Sequence, residues 1–168
     1  MDEENEFEDS KDYYEDFYQK LNRIIEKQLK KHRLDNDEQG KTKYDILVSY
    51  LTLLPNLFHL AVRMLLDKSI PPDNKGALIA GIIYVISPID IIPDAIPIAG
   101  WIDDLIVIAM ALNKFLDSDD VAIQARVRKH WAGDTDVFND IKHILEVANS
   151  AAEFLPKNLM RIVKSMFK

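Results

Sequence analysis

Cysteine is absent from the 168-residue chain. That removes disulfides, thiolate catalysis and cysteine-ligated metal from consideration, and it is compatible with a cytoplasmic setting. Glycine is scarce, at five residues, and forms no Gly-rich phosphate loop. Positive charge is in deficit. The formal net charge is −7, which argues against a whole-protein attraction to nucleic acid. Around the proline- and aspartate-rich stretch at 84–105 the longest uncharged run, Gly76 to Ile89, is 14 residues, whereas a bilayer span needs roughly 20. Two conventional membrane spans are therefore a poor fit, and a buried helix pair is the better reading. The first residues are acidic rather than basic and apolar, so no signal peptide is expected.

What is present is unevenly distributed. Residues 1–16 carry nine acids and one Lys, while Lys20 to Arg33 carries six basic residues against Glu26 alone. Residues 1–10 read as a disordered acidic tail. Residues 11–168 read as a single helical domain. Apolar spacing predicts helices over about Lys11–His32 and Tyr44–Leu66, the second bent or split by Pro55. A turn at Asp67–Asp73 follows, with Asp73 as a cap for a helix over about Asn74–Ile86. Further helices are predicted over Asp103–Phe115, from Ser118 or Asp119 to His130, from Asp134 or Asp136 to Phe154, and after Pro156. The helices near 74–87 and 103–116 are apolar on nearly every side. They predict an all-α, compact helical bundle around a central hydrophobic antiparallel helix pair.

Between those two helices lies the most informative stretch, Tyr84 to Leu105. Strongly apolar residues there bracket Asp90, Asp94, Asp103, Asp104 and three prolines. Carboxylates resist apolar surroundings unless paired or hydrogen-bonded, so the turn is tightly specified. One reading is structural. Ser87, Pro88 and Asp90 fit a capping box with proline at the first helical position. Asp103 and Asp104 would open the next helix beside its unpaired amides, and Gly100 would permit a left-handed turn. The other reading is chemical. Asp90 and Asp94 share a face if the turn is helical, and Asp103 and Asp104 could approach from the second helix. An oxygen-rich cluster of those four suits Mg²⁺ or Ca²⁺, although the spacing matches no calcium-loop pattern. No other cofactor is expected.

The pattern Tyr84, Ser87-Pro88-Ile89-Asp90-Ile91-Ile92-Pro93-Asp94, Pro97, Gly100 and Asp103-Asp104 resembles the YkvA-like family of bacterial helical domains. With the upstream turn at Asp67–Lys75, the resemblance covers a core of about 61–115. It implies a small helical domain of a family in which membrane association has been suspected. It supplies no reaction and no catalytic residues.

Other candidates are weaker. His32, His59, His130 and His143 have no diagnostic ligand spacing. His130-Trp131-Ala132-Gly133-Asp134 reads as a helix end with an aromatic anchor and a glycine stop. Ser87 lacks a nucleophile-elbow pattern, and no Ser-His-Asp set is singled out. In the last segment Leu159, Ile162, Val163 and Met166 share a helical face opposite Lys157, Arg161, Lys164 and Lys168. Such a helix docks on the core or lies on an anionic membrane. The leading functional expectation is a non-enzymatic interaction or scaffolding protein, cytoplasmic or peripheral at the inner membrane. Its partner would be an unidentified protein or an anionic membrane surface. The alternative is a divalent-metal-dependent hydrolase using the aspartate-rich turn.

Overall fold

The computed structural model describes residues 15–16, 18–27, 29–31, 43–86 and 97–166. The chain divides into two compact units, Met1–Glu38 and Gln39–Lys168. In the first, the described residues between 15 and 31 are helical, and Ile25 and Leu29 are buried. The second is built of α1 (Lys43–Tyr50), α2 (Leu54–Leu66), α3 (Gly76–Ile86), α4 (Pro97–Leu116), α5 (Val121–His130), α6 (Val137–Ser150) and α7 (Lys157–Met166). Short 3₁₀ turns at Leu51–Leu53, Pro72–Asn74 and Ala152–Phe154 join some of them. The described residues contain no strand. The class is all-α and the architecture a packed bundle, as the sequence predicts.

The bundle is organised around α4. It packs against α3 most extensively and also against α6, α2, α1 and α5. Ile102, Leu105, Ile106, Ile108, Ala109 and Leu112 on α4 are buried. The reason lies in its sequence, which keeps apolar residues on nearly every side and so can face several neighbours at once. From the other side the core is filled by Leu54, Leu57, Leu60 and Met64 of α2 and by Ile141, Ile144 and Leu145 of α6.

Boundaries follow local chemistry. Asp120 caps α5, its Oδ1 accepting the Ala122 amide at 2.8 Å and the Ile123 amide at 3.4 Å. Asp136 caps α6 in the same way, accepting Phe138 N at 2.9 Å and Asn139 N at 3.2 Å. These satisfy amides that a helix start leaves without partners. Pro55 does split the α1–α2 stretch. The break is the 3₁₀ turn ahead of it, and proline sits in the first turn of α2, where its missing N–H costs nothing.

Three expectations are corrected. First, α4 begins at Pro97 rather than Asp103, which places Asp103 and Asp104 two turns inside the helix rather than at its start. Pro97 and Gly100 read as turn residues, yet proline is at ease at a helix start and the helix carries Gly100 in its first turn. No described glycine has a positive φ. Second, Asp73 lies inside the turn Pro72–Asn74, and α3 starts beyond it at Gly76, so Asp73 is not its cap. Third, α3 is not enclosed. Only Leu78 and Gly81 are buried, and its outer side faces solvent.

Candidate functional site

Gly81 explains how closely α3 lies on α4. A Cβ placed there would sit 2.8 Å from the Ala111 Cβ and 3.4 Å from the Ile108 Cδ1. The two helices meet through a glycine facing an alanine, and a methyl group already overfills the contact. That approach commits the inner face of α3, and the outer side of this uncharged helix is left exposed. Ile79 is 44% exposed, Ile83 57%, Ile86 51% and Tyr84 40%. Positions 79, 83 and 86 fall on one helical row. Isolated exposed apolar residues are ordinary on a protein surface, whereas a contiguous row of them marks a contact surface.

Where this face ends, α3 and α4 bring Tyr84 close to Asp103. Asp103 is 7% exposed and is the one buried charged residue among the described residues. Loss of water pushes its carboxyl up to about 6. The Tyr84 hydroxyl is raised in turn, first by burial and then by the negative charges of Asp103 and Asp104. Of the four candidate ligands, Asp103 and Asp104 thus lie on α4. Asp90 and Asp94, with the capping pair Ser87 and Asp90, fall outside the described residues. Among the described residues no group of three or more His, Asp or Glu is arranged to hold a metal ion.

The richest polar cluster is one that sequence reading missed. Asp67 ends α2, and its Oδ1 accepts the Ser69 amide at 2.9 Å and the Ser69 hydroxyl at 2.5 Å. Its Oδ2 accepts from His130 Nε2 at 2.9 Å and lies 3.6 Å from Arg126. Lys75 Nζ donates to the Asp67 carbonyl at 2.8 Å. The bonds from Ser69 and His130 hold the Asp67 carboxyl well below the usual carboxylate range, with Arg126 adding to them. Ser69 donates to the carboxylate rather than to the imidazole, so the set lacks the serine–histidine contact that activates a nucleophile. Its geometry instead fastens the turn between α2 and α3 to the end of α5. Asp67 and His130 are 63 positions apart, and the only sequence sign was that each sits at a helix end.

Residues 74–110 are a YkvA-like segment: they match the family model described as Protein of unknown function (DUF1232). The segment takes in all of α3 and the first two-thirds of α4, and so contains the exposed row, Tyr84 and the four aspartates. No curated protein and no solved structure matches the chain.

Other candidates have side-chain or backbone partners. His59 accepts from Arg63 Nε at 3.4 Å, and His143 Nδ1 shares a hydrogen bond of 3.1 Å with the Tyr50 hydroxyl. His32 lies outside the described residues. Trp131 is an anchor, its Nε1 donating to the Thr135 carbonyl at 2.8 Å. Its ring lies over Gly133, where a Cβ would come within 2.4 Å, so the glycine is required by close approach. The last helix, α7, buries Leu159 and Val163 and leaves Ile162, Arg161 and Lys164 exposed.

Proposed function

We propose that the protein is a non-enzymatic interaction or scaffolding protein that works in the cytoplasm, peripheral to a membrane. The observation that carries this reading is the outer face of α3, an uncharged helix whose Ile79, Ile83, Ile86 and Tyr84 stand in water. Leaving such a row uncovered is unfavourable by about 25 cal/mol per Å² of apolar surface, so the face is built to be covered. The stretch Asp45–Leu66 is long and apolar enough to cross a membrane by length and composition, but half of it is buried within the fold. Its Leu47, Leu51, Leu54, Leu57, Leu60 and Met64 are core side chains, which assigns it to the bundle interior.

The divalent-metal hydrolase reading has less behind it. Its best-placed ligand, Asp103, is buried against α3 at a point where loss of water favours the neutral acid. Separation of producing cells into soluble and membrane fractions tests the proposal. We expect a substantial share of the chain in the membrane fraction, with detergent releasing it. Full recovery in the soluble fraction would exclude the membrane role.

A further inference from the structure

We propose that the outer row of α3 inserts into the interfacial zone of a bilayer through apolar contact, independently of headgroup charge, and that α7 takes no part. This rests on the peripheral reading above and specifies its surface. Four observations support it.

The row is uncharged over its whole length, and Ile79, Ile83 and Ile86 are each about half exposed. Nothing along α3 is positioned to read a headgroup charge. The 11 described residues of α3 span about 16 Å, roughly half of a hydrocarbon core, a length that suits lying along an interface. Tyr84, with an apolar ring and a polar hydroxyl, belongs at such a boundary.

Area separates a bilayer from a second copy of the chain. The exposed parts of these four side chains amount to on the order of a few hundred Å². A stable protein–protein interface buries about 800 Å² on each partner. A bilayer has no such requirement, because it accepts single side chains without complementary shape.

Charge and burial remove α7. Its Leu159 and Val163 are committed to the core, and among its described side chains Ile162 is the exposed large apolar one. Its exposed Lys157, Arg161 and Lys164 are few against a net charge of −7, so charge does not draw the chain to a surface.

Flotation of the full chain with vesicles tests this, using pure phosphatidylcholine and phosphatidylcholine containing an anionic phospholipid, each at low and high salt. We expect binding to both compositions, insensitive to salt. Ile83→Glu should lower it about tenfold, which corresponds to losing insertion of roughly half an isoleucine and adding a charge. Ile83 is solvent-exposed, so the variant should keep its helical circular dichroism, and Ile79→Glu provides a second reading of the same row. Arg161→Glu with Lys164→Glu should leave binding unchanged. Binding confined to anionic vesicles, and lost with salt or with the α7 variant, would overturn insertion by α3 while leaving the peripheral reading intact. No binding to any vesicle would overturn both. Sedimentation equilibrium showing a dimer abolished by Ile83→Glu would then identify a second copy as the cover.

Discussion

Two aspartates, Asp67 and Asp103, show how place decides what the same side chain does. Asp67 is surrounded by donors and its carboxyl is held low. Asp103 has lost its water and is pushed up to about 6. Their contributions to stability therefore run in opposite directions with pH. The folded-state value of Asp103 lies above its unfolded one, near 3.9. The folded state then binds the proton more tightly, so this contribution is fully present below about pH 3.9 and is lost as pH rises through about 6. Asp67 has the depressed value. Its contribution is present above about pH 3.9 and is lost only as pH falls toward its folded-state value. Denaturant unfolding across pH 2–8 should resolve both. We expect Asp103→Asn to raise stability at pH 7 by about 1–3 kcal/mol and to have little effect at pH 4. Asp67→Asn should destabilise at pH 7, by about 1–3 kcal/mol, because it weakens bonds to charged donors in a largely buried place. A destabilising Asp103→Asn at pH 7 would show that the carboxylate has a charged partner that outweighs its burial.

Among the helices, the parts most legible in the sequence were those whose signals are local. The sequence places the start of α5 at Ser118 or Asp119, of α6 at Asp134 or Asp136 and of α7 after Pro156. The caps are Asp120, one residue beyond that range, and Asp136, and α7 begins at Lys157. Signals that depend on distant neighbours were less legible. An all-apolar helix reads as enclosed, yet enclosure depends on how many partners surround it. For α3 the partners on the inner side are mainly α4 and α2, and the outer side has none of the described elements. The start of α4 was obscured because Pro97 and Gly100 carry turn propensities that burial of the following helix overrides. Asp103 and Asp104 were legible as a singular pair, but not as residues inside a helix. The α3–α4 contact yields its own prediction. Gly81→Ala would gain about 1 kcal/mol of helix propensity. It would also force a methyl to within 2.8 Å of the Ala111 Cβ, which belongs to a helix backbone and cannot swing away. Overpacking of this kind costs about 1–3 kcal/mol, so we expect a net loss of stability and a lower melting temperature. A rise in melting temperature would mean that α3 is free to move off α4.

At the scale of the whole molecule, the bundle surrounds one helix, and its most unusual chemistry sits where that helix meets the exposed α3. The same place carries both of the sequence's readings of the aspartates. They part on what cations do to the cooperative unfolding of the fold. A ligand that binds the native state alone raises stability by an amount set by its concentration relative to its dissociation constant, about 2.7 kcal/mol at a hundredfold excess. A site built from Asp90, Asp94, Asp103 and Asp104 would therefore show itself as a melting temperature that climbs with Mg²⁺ or Ca²⁺. It would also require Asp103 to be ionised, against the loss of water that favours its neutral form. We expect the reverse of the metal signature. Millimolar Mg²⁺ or Ca²⁺ should leave the wild-type melting temperature at pH 7 unchanged against an ionic-strength control, and Asp103→Asn should melt higher with or without the ion. A rise with either ion that disappears in Asp103→Asn would place a cation at the aspartates and restore the hydrolase reading. Because thermal unfolding reports the whole bundle, that outcome would also make the α3–α4 contact a metal-dependent part of the fold.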